Sequence, residues 1–138
     1  MTCPPVDPSP SPRLRCFLVE DSPIILGSLI ETLEQLAPIT VVGHASEEDS
    51  ALRWLRQHPG DCDLLVLDVY LRQGSGLHIL AALAGQPSAP CRVMLTNYAT
   101  VDIRRRCLSL GADRVFDKSS ELEELFAYCT ERAEGVRS

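Results

Sequence analysis

Acidic residues directly follow two short apolar segments of this chain. Residues 64–67 lead into Asp68, and residues 16–19 lead into Glu20 and Asp21. A carboxylate beside buried residues is costly unless a cation or a positively charged side chain meets it. Carboxylates at two strand ends therefore indicate a cation site, and a cation beside a carboxylate points to phosphate chemistry.

The sequence around these acids predicts a scaffold of alternating strands and helices. Short apolar segments rich in β-branched residues indicate strands, and apolar residues at helical spacing indicate helices. Ser46 and Ser120 each precede an acidic residue by three positions, which is typical of a capped helix start. The predicted strands lie at about residues 14–19, 39–43, 64–69, 91–95 and 114–116. The predicted helices lie at about residues 23–36, 46–58, 77–84, 100–110 and 120–133.

This alternation predicts an α/β fold with a parallel sheet covered by helices on both faces. A flavodoxin-like, doubly wound sheet of five strands and five helices, with strand order 2-1-3-4-5, is the simplest arrangement. In such a sheet the carboxyl ends of all strands meet at one edge. That edge would gather Glu20, Asp21, Asp68, Thr96 and Lys118.

The side chains predicted at this edge suit a metal ion and a phosphoryl group. Three neighbouring carboxylates repel one another and therefore favour a bound divalent cation. Ligands that are all oxygen favour Mg²⁺ or Mn²⁺ over zinc. A lysine and a hydroxyl group facing the same acids could bind the oxygens of a phosphoryl group.

Length, composition and net charge indicate what class of protein this chain is. The chain has 138 residues, of which 45% are hydrophobic and 23% charged, which is typical of one soluble globular domain. The formal net charge of −6 argues against direct binding to nucleic acid. The sequence contains neither an apolar run long enough to cross a membrane nor the start of a signal peptide. We therefore expect a cytoplasmic protein without membrane insertion.

Two further features concern prolines and cysteines. Residues 1–12 hold half of the ten prolines and predict a disordered tail. The six cysteines form no C-x-x-C pair, and we interpret them as reduced residues packed like small apolar side chains.

The ordered set of motifs resembles the receiver domain of response regulators, the phospho-accepting module of two-component signalling. The resemblance covers about residues 13–133. We predict a receiver domain at residues 13–134, a tail at 1–12 and a short C-terminal tail at 135–138. The motifs that carry the resemblance are Val19-Glu20-Asp21, Leu65-Val66-Leu67-Asp68, Gly76, Met94-Leu95-Thr96-Asn97, and Gly111-Ala112-Asp113 before Asp117-Lys118.

The resemblance implies a role for each residue at the sheet edge. Asp68 would accept the phosphoryl group by in-line attack, and Thr96 and Lys118 would bind its oxygens. Gly76 would serve the turn before its helix. Mg²⁺ or Mn²⁺ would be held by the carboxylates of Glu20, Asp21 and Asp68 and by the backbone carbonyl of Tyr70.

Several positions depart from the pattern of the resembled family. Arg72 and Ser119 stand where prolines are common, and a cis bond before Ser119 is not expected. Val115 stands where an aromatic switch residue is usual. Phe116 is adjacent, but a shift of one residue along a strand places a side chain on the opposite face. These departures put the usual coupling between the hydroxyl and the aromatic residue in doubt.

Two tyrosines lie two positions after Asp68 and Thr96. In the resembled family these positions flank the path of the water that hydrolyses the phospho-aspartate. Tyr70 and Tyr98 would then crowd this water and prolong the phosphorylated state. The alternative is that both rings lie on the surface away from that path.

The densest positive cluster is Arg104-Arg105-Arg106 on the predicted fourth helix. It is either a solvated helix face or a surface for an acidic partner. In the resembled family, the fourth helix, fifth strand and fifth helix often form a partner surface. A homodimer through this face is therefore one expectation.

We expect a stand-alone response regulator, because only residues 134–138 follow the last predicted helix. The resemblance implies a signalling protein that is not an enzyme. Its phosphodonor would be a sensor histidine kinase, a histidine phosphotransfer protein or a small phosphodonor. Its output would be contact with a downstream protein or a phosphorelay. One alternative is a pseudo-receiver that takes no phosphate. Another is a phosphatase of the haloacid-dehalogenase type, although such enzymes usually carry an aspartate at the position of Tyr70.

Overall fold

The predicted alternation of strands and helices is present in the computed structural model, which describes residues 13–86 and 89–137. The predicted tail at residues 1–12 lies outside this range. The strands β1 to β5 are Leu14–Val19, Ile39–Ala45, Leu64–Leu67, Cys91–Thr96 and Arg114–Asp117. The helices α1 to α5 are Pro23–Leu36, Glu48–Gln57, Gly76–Leu83, Val101–Ser109 and Leu122–Arg137.

All neighbouring strands are parallel and follow the order β2-β1-β3-β4-β5. This confirms the predicted flavodoxin-like arrangement. Within the sheet, Val19 is aligned with Leu67, and Thr96 is aligned with Asp117. The residues that follow these positions therefore leave the sheet at the same edge. None of the helices in the described ranges is long and apolar enough to cross a membrane.

Apolar side chains form one core on each face of the sheet. Phe116 belongs to the core that includes Leu125 and Cys129, whereas Val115 belongs to the core that includes Met94 and Cys107. The two neighbours on β5 thus face opposite sides, as the alternation of a strand requires. Phe116 therefore cannot replace an aromatic side chain at position 115.

The five cysteines within the described ranges are all unpaired. Burial raises the pKa of the Cys62 thiol to about 11 and that of the Cys129 thiol to about 12. Cys16 is fully buried in the core. These thiols therefore remain protonated at neutral pH, as the predicted role of small apolar side chains requires.

The start of α2 differs from the prediction. The helix begins at Glu48, and its N-cap is Glu47, whose side chain makes no capping bond. The free N–H groups of Glu48 and Asp49 instead donate to the backbone and side-chain oxygens of Gln73 at 2.9 and 3.2 Å. The capping box predicted at Ser46 is wrong because a distant loop supplies the acceptors.

The ends of α5 also differ from the prediction. The helix begins at Leu122 rather than at Ser120, whose N–H donates to Asp117 at 3.1 Å. Its other end is Arg137, which is beyond the predicted end near residue 133. Residues 135–137, which we assigned to a C-terminal tail, therefore continue the helix.

An ion pair between Arg15 and Asp63 lies at the edge of the sheet where β1 and β3 begin. One carboxylate oxygen of Asp63 accepts from the backbone N–H and the Nε of Arg15 at 2.9 and 3.1 Å, and the other accepts from Nη2 at 3.0 Å. The hydrogen-bonded guanidinium lowers the pKa of Asp63. Asp63 therefore contributes stability that is present above the unfolded-state pKa of about 3.9 and is lost as the pH falls through the lower folded-state pKa.

We expect Asp63→Asn to lower the free energy of unfolding at pH 7 by about 1 kcal/mol, because the ion pair is partly exposed. The difference from the wild type should shrink as the pH falls below about 4. Urea denaturation at pH 7 and pH 3 measures both effects. Asp61→Asn, at an exposed neighbour, is the matched control; an Asp63→Asn deficit that is the same at both pH values would contradict the assignment.

Candidate functional site

The three predicted carboxylates meet at the carboxyl edge of the sheet. One oxygen each of Glu20, Asp21 and Asp68 lies within 4.8 Å of the others. Glu20 is only 2% exposed and Asp68 only 9% exposed. The backbone N–H of Asp68 donates to Val19 at 3.0 Å, so the residue is held directly beside the end of β1. The parallel pairing of β1 with β3 thus brings the acids together.

Lys118 supplies the positive charge that these acids require. Its ammonium group donates to Glu20 Oε1 at 2.6 Å and to Asp68 Oδ2 at 2.8 Å. Burial by itself would lower the pKa of Lys118, but the hydrogen bonds and negative charges of both carboxylates outweigh burial and raise it. Burial raises the pKa of Glu20, and its bond to Lys118 offsets part of this rise. Lys118 is also the only lysine in the chain.

Thr96 lies at the same edge and is fully buried. Its hydroxyl oxygen accepts the N–H of Tyr98 at 3.1 Å, and its carbonyl oxygen accepts the N–H of Lys118 at 2.9 Å. Because its oxygen is already an acceptor, the hydroxyl proton can be donated to another group. The ends of β4 and β5 thus hold the predicted hydroxyl and lysine in one place.

The loop after β3 places Asp68 through close backbone contacts. Asp68 Oδ1 accepts the N–H of Val69 at 2.7 Å. A Cβ atom on Gly76 would lie 2.1 Å from the carbonyl oxygen of Asp68, so any other residue would force the backbone to shift. Within the loop between β3 and α3, the residue with left-handed backbone is Gly74, with φ of 82°. The predicted role of Gly76 in turn conformation is therefore wrong, because close packing is what requires the glycine.

Tyr70 and Tyr98 form an aromatic pair at the surface. Their ring centroids are 4.9 Å apart in an edge-to-face arrangement. The two residues are 54% and 57% exposed. The two loops that follow Asp68 and Thr96 are thereby in contact through their side chains. Crowding of the hydrolytic water, and its alternative, stay predictions.

The three consecutive arginines of α4 have different surroundings. Arg104 is half-buried and donates to Glu121 at 2.8 Å. Arg105 is exposed and lies 3.7 Å from Asp102, and Arg106 is exposed in the last turn of the helix. The cluster is therefore divided between one arginine with internal contacts and two on the surface.

The contacts that shape the turn after Lys118 were not predicted from the sequence. Asp117 Oδ1 accepts the N–H and the hydroxyl of Ser119 at 2.8 and 2.6 Å, and the N–H of Ser120 at 3.1 Å. Glu121 Oε1 accepts the N–H of Asp117 at 2.7 Å. No peptide bond in the described ranges is cis. The Asp-x-Ser spacing is a recognisable turn signal, but nothing local marks Glu121.

Comparison with known proteins identifies the family. The family model for the response regulator receiver domain matches residues 16–130. The chain belongs to this family. The transcriptional regulatory protein MalR of Bacillus subtilis is 29% identical to this receiver domain over 110 residues, which cover 80% of the chain and 46% of MalR. The chain thus spans about half the length of this curated relative.

Solved receiver structures agree with the fold. The receiver domain of the putative response regulator NarL from Mycobacterium tuberculosis superposes with a TM-score of 0.77 at 21% identity, over 90% of this chain and 98% of that one. A response regulator from Burkholderia pseudomallei, solved with a phosphorylated aspartic acid, a calcium ion and citrate, has a TM-score of 0.69 at 26% identity. That match covers 89% of this chain and 71% of the other.

Proposed function

We propose that this receiver domain accepts a phosphoryl group on Asp68 from a histidine kinase, a histidine phosphotransfer protein or a small acyl phosphate. The observation that carries the proposal is the convergence of Asp68 with two further carboxylates and with Lys118. The relative from Burkholderia pseudomallei, with its phosphorylated aspartic acid, supports the same chemistry.

The carboxylates fit a divalent metal ion. Glu20, Asp21 and Asp68 offer hard oxygen ligands close together, which suits Mg²⁺ or Mn²⁺. The backbone carbonyl of Tyr70 is the further ligand that the family pattern assigns. When bound, such an ion neutralises negative charge on a transferring phosphoryl group.

The side chains at the edge have separate tasks in the transfer. A carboxylate oxygen of Asp68 attacks phosphorus and forms a new O–P bond. The P–N bond of a phosphohistidine donor, or the P–O bond of an acyl phosphate, breaks, and its electron pair leaves with the donor. Lys118 can then donate to a phosphoryl oxygen in place of a carboxylate, and the Thr96 hydroxyl can donate to another.

The proposed output is contact with another protein or a phosphorelay. Arg105 and Arg106 are exposed on α4, and Glu123 and Glu124 are exposed on α5, so the face formed by α4, β5 and α5 carries charges of both signs. Such a face is self-complementary, so a homodimer through α4, β5 and α5 is our first expectation. Because two curated relatives are longer transcriptional regulators, the stand-alone organisation stays a prediction.

Acetyl phosphate with Mg²⁺ tests the proposal. The intact mass of the wild type should rise by about 80 Da, one phosphoryl group, and that of Asp68→Asn should not. Asp61→Asn, at an exposed aspartate outside the site, is the matched control and should gain the adduct. A wild type without an adduct would favour the pseudo-receiver, and turnover of diverse phosphomonoesters would favour the phosphatase.

The tyrosine pair gives a kinetic prediction. We expect the double variant Tyr70→Asn, Tyr98→Glu to release phosphate about tenfold faster than the wild type, or ~1.4 kcal/mol in activation free energy. In this hypothesis the two rings, whose centroids are 4.9 Å apart, restrict the approach of water. Loss of the phosphorylated mass over time measures this rate. The Tyr70→Phe, Tyr98→Phe variant keeps both rings and should release phosphate at the wild-type rate. An unchanged rate in the Tyr70→Asn, Tyr98→Glu variant would contradict the hypothesis that the rings slow hydrolysis.

A further inference from the structure

The guanidinium of Arg104 joins α4 to three neighbouring segments. Its Nε donates to the carbonyl oxygen of Ala99 at 3.0 Å, in the loop between β4 and α4. Its Nη1 donates to the carbonyl oxygen of Val115 on β5 at 3.1 Å, and its Nη2 donates to Glu121 at 2.8 Å. All three nitrogens are therefore bonded to fixed acceptors, which holds the planar group in one orientation.

These contacts connect Arg104 to segments next to Lys118 and Thr96, the residues proposed to bind the phosphoryl group. The Glu121 oxygen that accepts from Arg104 also accepts the N–H of Asp117, the residue directly before Lys118. On the other side, Ala99 lies in the loop that follows β4, three residues after Thr96, the last residue of that strand. The loops that present the lysine and the hydroxyl are thus tied to one side chain.

The surroundings make this ion pair stronger than its neighbour on the same helix. The side chains of Arg104 and Glu121 are 35% and 29% exposed, at a distance of 2.8 Å. Those of Arg105 and Asp102 are 75% and 92% exposed, at 3.7 Å. Solvent screens the second pair heavily, so only the first can hold segments of the fold together.

Val115 on β5 lies directly beside Arg104. Its side chain is buried in the core, and its carbonyl oxygen is a partner of Arg104. The groove between α4 and α5 over β5 is lined by Arg104, Val115 and Glu121. No aromatic side chain at position 115 can rotate in this groove, whereas the guanidinium spans it.

We propose that Arg104 is a positioning residue for the phosphoryl site and acts through Glu121. This Arg104–Glu121 link fixes the turn that presents Lys118 and connects it to the face formed by α4, β5 and α5. The inference rests on the proposed phosphorylation of Asp68 and adds the route by which that event reaches the surface. A phosphoryl group on Asp68 draws Lys118 to a new partner, and Asp117, Glu121 and Arg104 transmit the displacement to α4.

The link has no direct bond to the metal ligands and reaches them only through Lys118. None of Glu20, Asp21 and Asp68 has a hydrogen bond to Arg104 or Glu121 within the described part of the chain. Loss of the link should therefore weaken phosphoryl binding much more than it changes Mg²⁺ affinity. A general loss of structure would weaken both.

The test uses Arg104→Met in the full chain. We expect the initial rate of phosphorylation by acetyl phosphate to fall about five- to tenfold, with the dissociation constant for Mg²⁺, from calorimetric titration, within twofold of the wild type. Because Lys118 is the only lysine, lysine labelled with ¹⁵N at the side-chain nitrogen alone gives one side-chain ¹⁵N resonance. We expect this resonance to shift or broaden in Arg104→Met and to stay unchanged in Arg53→Met, at an exposed arginine on α2.

A second variant separates the link from a general structural effect. Glu121→Gln should also slow phosphorylation. The double variant should lose no more than the slower single variant, because both single variants break the same Arg104–Glu121 ion pair. Three outcomes would overturn the positioning role but not the proposed phosphorylation of Asp68. They are additive losses in the double variant, a wild-type rate in Arg104→Met, and a fall in Mg²⁺ affinity as large as the fall in rate. A wild type that takes no phosphoryl group would overturn the proposed function, and this role with it.

Discussion

Lys118→Ala is expected to slow phosphorylation of Asp68 by acetyl phosphate about 100-fold or more. The ammonium group is the only side-chain cation bonded to Asp68 and Glu20 in the described part of the chain. A fixed charge in a largely dry site stabilises the developing phosphoryl charge, and loss of one such group typically costs ~10²–10³ in rate. Initial rates at saturating Mg²⁺ measure the effect.

A matched variant separates charge from shape at this position. Lys118→Met keeps a long flexible side chain but has no charge, so it should be as slow as Lys118→Ala. Arg53→Met removes a positive charge from the surface and should leave the rate unchanged. If Lys118→Met retained the wild-type rate, the electrostatic role of the lysine would be refuted.

The second large effect concerns Gly76. In Gly76→Ala the new Cβ would lie 2.1 Å from the carbonyl oxygen of Asp68 and 3.1 Å from the Cε of Met94. The nearer neighbour is backbone, so the chain must shift at the phosphoacceptor itself. We expect the free energy of unfolding to fall by about 3 kcal/mol and phosphorylation to slow as well. Urea denaturation gives the first quantity and the acetyl phosphate assay the second.

Gly27→Ala is the matched control for this substitution. Gly27 lies on α1, and no atom would approach its added Cβ within 4 Å. Because glycine is a poor helix former, this change should raise the free energy of unfolding by about 0.5–1 kcal/mol. The same chemical change should thus have opposite signs at the two positions, and equal effects would refute the packing argument for Gly76.

The convergence of the acids could be predicted because it depends on periodic features of the sequence. A buried segment before Asp68 and another before Glu20 predict neighbouring parallel strands, and parallel strands share their carboxyl edge. The aligned positions of Thr96 and Asp117 follow from the same rule. The fold and the residues that lie at this edge can thus be predicted from the sequence.

What could not be predicted depends on contacts between distant parts of the chain. The start of α2 is set by Gln73, which lies more than twenty residues away. Likewise, the pairing of Arg104 with Glu121 joins residues that are 17 positions apart, with no local pattern at either. Consecutive arginines in a sequence look alike, and only packing separates Arg104 from its two neighbours.

The position of the phosphoryl group tests the central claim most directly. After incubation with acetyl phosphate and Mg²⁺, borohydride reduces an acyl phosphate to an alcohol, so a phosphorylated aspartate becomes homoserine in the peptide that contained it. Our account predicts homoserine at position 68 in the wild type and nowhere in Asp68→Asn. Homoserine at another acidic residue, or an unmodified Asp68 in a chain that gained the phosphoryl mass, would contradict it.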